Sequence, residues 1–341
     1  MQLTSYQLHS DHIPGRWVEH EGKKLRWLGG TNYLSIGTHP LFQEKLADGI
    51  KKFSQNWGSS RRNNLQISVW EELEDLFAKK YGRPAAALSS SGMLAGQTAL
   101  QIAFQLNQNS LLNIAPKTHP ALWSITHKPF SGTFDAWRAN LLHTDIVAID
   151  GTGSPWVEGI DFDFATSLAK ENVLLVDESH RIGIQDIGIK TEANLIQTAS
   201  LSKAFGIPAG IILGEVDVIN QLKSDPFWVG SSPPNPAFCY ACLHAQEAYE
   251  EQLEHLKHSI QLMDEGLKEV NKTIKRLQGY PTFCSSSPDL FDYLKDNGFL
   301  TNQFSYPDIN APAICRATIS SSLTKEDIEG LIEVLLNFKD V

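Results

Sequence analysis

The apolar run Val173-Leu-Leu-Val176, closed by Asp177, restricts this chain more than any other stretch of its 341 residues. A short segment that is apolar at every position must be covered on both faces, which is the condition of a central parallel strand. Parallel strands in turn require crossover connections. Leu195 to Ser200 reads as the next short strand. Between Ala85 and about Gly214, the runs Leu111–Ala115, Ile146–Ile149 and Gly210–Leu213 alternate with helical stretches. The pattern predicts an α/β fold with a mostly parallel sheet.

Ligands of open α/β sheets collect at the carboxyl ends of the strands. Asp177 stands at such an end, followed by Glu178-Ser179-His180, and Lys203 comes 26 positions after it within Thr198-Ala-Ser-Leu-Ser-Lys-Ala-Phe-Gly206. The turn carrying Lys203 is expected on the same edge. Taken singly, an Asp at a strand end is an ordinary cap and a loop lysine is ordinarily solvated. Together they match the needs of pyridoxal phosphate, whose aldehyde requires an amine for a Schiff base and whose ring nitrogen requires a carboxylate to stay protonated. His180, three residues past Asp177, is placed to hydrogen-bond the cofactor's phenolic oxygen, and Ser200 and Ser202 bring hydroxyls near the lysine. A phosphate cradle is expected at Ala85–Met93, a small apolar strand running into Ser89-Ser-Ser-Gly92 before the helix-favouring stretch Leu94 to Leu106. Free amides at a helix start bind a dianion without a lysine.

These stretches occur in order with Thr31–Pro40, Gly58–Arg61, Leu73-Glu74, His119–Leu122 and Arg316–Ser320. From near residue 30 to its end the chain resembles the α-oxoamine synthase family, a branch of the fold-type I, aspartate aminotransferase-like enzymes that use pyridoxal 5'-phosphate. The resemblance implies a mostly parallel central sheet with helices on both faces and a small α+β carboxyl-terminal lobe. It implies that Lys203 is the Schiff-base lysine, Asp177 the pyridinium partner, His180 the donor to the phenolic oxygen and His119 the ring stacked on the cofactor. Ser91, Gly92 and Met93 match the helix start near the cofactor, and Ser200 stands where the family often has a phosphate-binding threonine. Asn32 and Arg316 are the implied substrate contacts, a guanidinium being the natural partner of a carboxylate.

The chain departs from the family pattern at three places. The glycine-rich run is reduced to Trp57-Gly-Ser-Ser-Arg-Arg62, Trp70 replaces a histidine before Leu73-Glu74, and Gly230 falls where a second subunit supplies a phosphate-binding threonine, leaving Ser231 as its substitute. The implied activity is decarboxylative condensation of a small amino acid such as L-alanine with an acyl thioester, on CoA or an acyl carrier, in a homodimer, with biotin synthesis as the implied pathway. An aminotransferase on the same fold, or a non-catalytic binding or regulatory protein, are the alternatives.

Length suits a large and a small lobe. The expected division is an arm at 1–40, a large cofactor-binding domain at 41–235, a connecting helix at 236–278 and a small domain at 279–341. Helical spacing is read at Leu41, Phe42, Leu46 and Ile50, at Val69, Leu73, Leu76 and Phe77, and along one run from Pro236 to Leu277. Extended segments are read at Lys24–Leu28, Thr282–Ser285 and Ala313–Ser320, with a variant capping box at Thr324–Asp327. A net charge of −10 argues against nucleic-acid binding. Four cysteines make no disulfide framework, no metal site is read, and with no signal peptide or membrane-length apolar run the expected location is cytoplasmic. Cys239-x-x-Cys242 is read as packing.

Overall fold

The computed structural model describes residues 9–108, 110–142, 145–268, 273–305 and 310–339. Its largest sheet has six strands in the order Ala85–Ser89, Gly210–Gly214, Asn194–Ser200, Val173–Asp177, Ile146–Asp150 and Leu112–Ile114. The last four are mutually parallel, whereas Gly210–Gly214 runs antiparallel to both of its neighbours. Every strand expected from the apolar runs of this region is present. The chain leaves the sheet at one edge after Ala85–Ser89, re-enters at the far edge at Leu112–Ile114, and then steps back inward. The helix Gly92–Leu106 makes that crossing.

Alternation of side chains explains how the sheet is covered. Ala148, Leu175, Ile196 and Ile212 pack on one face with Ala99, Ile102 and Ala103 of the crossing helix. Val147, Leu174 and Val176 point the other way, against Trp137 and Phe164. Each large side chain so buried contributes about 1.5–3 kcal/mol, which is why Val173–Asp177, covered on both faces, is buried at all five positions. The helices Pro40–Phe53 and Val69–Lys80 form where the apolar spacing predicts them.

The described residues divide into two units. The larger comprises His39–Ser154 and Ile160–Ala248, and the smaller the residues before His39, Pro155–Gly159 and those from Tyr249 onward. In the smaller unit Ile274–Arg276, Thr282–Ser285, Ala313–Thr318 and Asn302–Ser305 form an antiparallel sheet, and Trp17–His20, Lys23–Trp27 and Phe299–Leu300 form a mixed one, with Phe299–Leu300 parallel to Lys23–Trp27. The capping box at the start of helix Lys325–Asn337 is formed by Thr324 and Asp327. Buried Asp327 also meets Arg16 Nε at 2.6 Å and Arg26 Nε at 2.9 Å, joining the amino-terminal segment to the last helix.

The stretch read as one helix from 236 to 277 is different. It contains two helices, Pro236–His244 and Gln246–Gly266, divided at Ala245, and then the strand Ile274–Arg276. Residues 269–272 lie outside the described set. The strand forms because Gly279, at φ +71°, turns the chain back so that Ile274–Arg276 pairs with Phe283–Ser285, a tertiary partner that local helical spacing does not register. Among the described residues, no helix is long and apolar enough to cross a membrane.

Candidate active site

Two loops beyond the carboxyl ends of the central strands bring the lysine and the histidine together. Asp177 ends its strand and accepts a hydrogen bond from Ser179 N at 2.9 Å, which tightens the turn leading to His180. Lys203 sits on the turn after Asn194–Ser200, a turn closed by Leu201 N to Ala209 O and Ile207 N to Leu201 O. The two turns are joined by Ser200 N donating to Ser179 Oγ at 2.8 Å. Gly183, at φ +87°, lets them approach, since a Cβ there would lie 2.9 Å from the Ala204 Cβ. As a result Lys203 Nζ and His180 Nε2 are 2.9 Å apart.

His119 approaches from the neighbouring strand ends. Its backbone N–H donates to both carboxylate oxygens of Asp150, each at 3.1 Å, and its Nδ1 accepts from Ala121 N at 3.1 Å. An accepting Nδ1 places the ring proton on Nε2 and keeps the imidazole neutral. Burial pushes the His119 pKa down, with Asp177 pulling it up and Lys203 adding to the depression. The ring therefore lies within the electrostatic reach of both the acid and the amine.

The helix start expected to hold phosphate is close by. Ser91 is the N-cap of Gly92–Leu106, and its hydroxyl accepts from Leu94 N at 3.1 Å. Ser91 O takes Ala95 N, so neither bond uses the amides of Gly92 and Met93. Met93 is exposed. A Cβ on Gly92 would lie 2.5 Å from the Ser200 Cβ, so only glycine permits the approach of the helix start to Ser200, whose hydroxyl is 2.7 Å from that of Ser202. Lys203, His180, Asp177, His119, Ser91, Gly92, Met93 and Ser200 thus all belong to the carboxyl-terminal rim of one sheet.

The other residues read from the sequence are carried by other elements. Ser231 ends the short helix Pro226–Gly230, and its hydroxyl donates to Trp228 O at 2.7 Å. Asn32 and Arg316 both belong to the smaller unit. Arg316 lies on Ala313–Thr318 and interacts with the hydroxyl of buried Tyr33, whose pKa burial raises. Asn32 Oδ1 and Arg316 Nε are buried without hydrogen-bond partners among the described residues. Trp70, in place of histidine, donates from its indole to Pro234 O at 3.0 Å, and Trp57 packs edge-on against it. Cys239 and Cys242 are buried and unbridged, as packing residues are.

Sequence reasoning passed over Asp150, Thr198 and Glu178. Asp150 ends Ile146–Asp150 in direct register with Asp177, which is itself in register with Thr198. In-register residues of adjacent strands share a face, so the two carboxylates and the Thr198 hydroxyl are side by side. An acid closing an apolar run, Ile146-Val-Ala-Ile-Asp150, is the signal that identified Asp177 and was equally present here. Glu178 is buried, accepts from Gln197 Nε2 at 2.8 Å and lies 3.3 Å from Arg181 Nη1. Burial pushes its pKa up to about 7.

The arrangement fits a flat, anionic, aldehyde-bearing cofactor. Thr198 Oγ1 is buried beside Asp177 and has no partner among the described residues, so the strand ends have polar capacity to spare. The absence of a side chain at Gly92 lets the helix start approach Ser200 closely. The donor set is an amine, two imidazoles, carboxylates and a helix start, which are the groups such a molecule requires.

The chain is similar to the 8-amino-7-oxononanoate synthase of Thermosipho melanesiensis, with 26% identity over 97% of this chain and 92% of that protein. It is similar to the serine palmitoyltransferase of Bacteriovorax stolpii, with 22% identity over 94% of this chain and 84% of the other. Among solved structures, the 8-amino-7-oxononanoate synthase of Francisella tularensis superposes with a TM-score of 0.71 at 18% identity, covering 91% of this chain and 96% of that one. The serine palmitoyltransferase of Sphingomonas wittichii gives a TM-score of 0.77 at 15% identity, covering 95% and 89%. These likenesses bear out the α/β fold of the fold-type I enzymes and fit the α-oxoamine synthase branch. Residues 129–335, more than half of the chain, match the aminotransferase class I and II family, and the chain belongs to that family.

Proposed function

We propose that this protein is a pyridoxal phosphate-dependent transferase of the α-oxoamine synthase type, similar to 8-amino-7-oxononanoate synthase. In the proposed reaction a small amino acid, L-alanine, condenses with an acyl thioester. The amino acid loses its α-proton, its α-carbon bonds to the acyl carbon, the thiolate departs and takes up a proton, and carbon dioxide is released as a proton returns to the α-carbon. The observation that carries the reading is the Lys203–His180 contact at 2.9 Å on the sheet edge that ends in Asp177.

When bound, pyridoxal phosphate supplies the electron sink that makes the α-proton removable. Lys203 holds the cofactor and takes the proton, which requires a neutral amine at that moment. His180, which contacts that amine at 2.9 Å, would donate to the phenolic oxygen. Asp177 would keep the ring nitrogen protonated, and His119 would hold the ring through its neutral imidazole. Gly92 and Met93 amides with Ser200 take the phosphate, and Ser231 is assigned to the phosphate of a second subunit's site. Arg316 and Asn32 are assigned to the substrate carboxylate, their unpartnered Nε and Oδ1 supporting the choice.

A homodimer is part of the proposal. The exposed Ile125 and Phe227 line a groove of about 720 Å³ with Leu100 and Phe104, apolar surface that a second copy would cover. Four unbridged buried cysteines suit a reducing, cytoplasmic setting.

The test supplies purified protein with pyridoxal phosphate, L-alanine or L-serine, and acyl-CoA or acyl-carrier thioesters of short and long chains. Thiol release and carbon dioxide in equal amounts, dependent on L-alanine, support the reading. Preference for L-serine with a long acyl chain moves it to a serine palmitoyltransferase-like activity. Amino-group transfer to a keto acid without thioester overturns it in favour of an aminotransferase.

A further inference from the structure

We infer that Asp150 is a positioning residue that sets where the His119 ring meets the cofactor, acting through the His119 backbone amide. The inference rests on the proposal that this sheet edge takes pyridoxal phosphate.

His119 N–H donates to both oxygens of Asp150, at 3.1 Å each. The loop is held from its other side as well. Gln97 Nε2 donates to Ala121 O and Trp123 O, each at 2.9 Å, and Trp123 Nε1 donates to Thr118 O at 2.7 Å. Ala121 N holds the ring itself through Nδ1. Asp150 ties the His119 amide to the strand next to Asp177, and it does so in direct register with that residue. A shift at the His119 amide moves the ring relative to Asp177, and a flat ring forfeits a quarter to a half of its contact energy over a gap of about 0.5–1 Å.

The acceptor, rather than the charge, does this work. Asp150 is buried, and the titratable groups facing it are Asp177 and Glu178 on the adjacent strand end and Lys203 on the following turn, with the neutral His119 bonded to it through its backbone amide. Burial and then Asp177 push the Asp150 pKa well up, the His119 amide and Lys203 only partly offsetting them. A group that resists ionisation is well imitated by a neutral amide. Asparagine keeps a carbonyl oxygen for the His119 amide, and alanine does not.

The experiment titrates pyridoxal phosphate into cofactor-free protein and follows tryptophan fluorescence, so the readout is affinity and not turnover. The proteins are wild type, Asp150→Asn, Asp150→Ala, His119→Ala and Asp150→Ala/His119→Ala. The expected result is Asp150→Asn within about threefold of wild type and Asp150→Ala weaker by at least about tenfold, as for loss of a hydrogen bond to a buried group. In the His119→Ala background the Asp150→Ala change should cost less than about twofold, because an action through His119 vanishes with that ring. Asn as weak as Ala, or additive losses in the double variant, overturns the inference while leaving cofactor binding intact. Wild-type protein that takes up no pyridoxal phosphate overturns the site itself, and the inference with it.

Discussion

Lys203 Nζ and His180 Nε2 are 2.9 Å apart although 23 positions separate the residues in sequence. Parallel strand pairing accounts for this, because the strands ending in Asp177 and Ser200 are neighbours and their following turns leave the same edge. The contact holds the amine and the imidazole together on that edge.

Replacing Lys203 with Ala should abolish the lysine-dependent absorbance band of the cofactor and lower turnover by at least about 10³-fold. His180→Ala should retain the band with turnover lowered by about 10–100-fold. Absorbance spectra of the loaded proteins, with and without L-alanine, check both.

Glu74 is a buried carboxylate that Arg61 Nη1 meets at 2.6 Å, Lys223 Nζ at 2.7 Å and Leu88 N at 2.7 Å. Arg61 also lies over the rings of Trp70 and Trp228. Glu74→Ala strips the partner from two cations and a strand amide and should cost about 3–5 kcal/mol. Urea unfolding of the two proteins measures it. A loss below about 1 kcal/mol would show that the network is not a stabilising one.

In the smaller unit, burial alone would raise the Asp327 pKa, yet hydrogen bonds from Arg16 and Arg26 outweigh it and bring it down to about 2 from an ordinary 3.8. A depressed carboxylate gives stability that is fully present above its ordinary pKa and is lost as pH falls through the folded value. That stability should therefore disappear between about pH 4 and pH 2, and Asp327→Asn should destabilise at pH 7 by about 2 kcal/mol while flattening this acid limb. Thermal melts across that range provide the check.

Glu178 has the opposite sign. Its folded pKa of about 7 exceeds the ordinary 4.5, because burial disfavours the charge more than Arg181 favours it. Its contribution is fully present below about pH 4.5 and is lost as pH rises through 7. Glu178→Gln should reduce the difference in urea midpoint between pH 5 and pH 8. An unchanged difference would mean that Glu178 is ionised throughout.

The strands were legible because burial on both faces demands apolar residues at consecutive positions, a pattern that survives without knowledge of the partner. Val173–Asp177 and Thr282–Ser285 have the predicted bounds, and Asn194–Ser200 and Gly210–Gly214 each differ by one residue. The strand Ile274–Arg276 was not legible. Its conformation depends on a hairpin partner brought in at Gly279, and helical spacing continued across it.

The chain's order of residues alone determined which groups are available for chemistry: one lysine among small hydroxyl residues, an acid after a buried strand, a histidine three residues later and a serine-capped helix. Tertiary structure decided which of them meet. Strand register set Asp150 beside Asp177, and the close approach at Gly183 brought His180 onto Lys203. Local sequence encodes propensity and hydrophobic period, which act over a few residues. Proximity across 23 or more positions is set by sheet pairing and packing, so it is a property of the folded chain.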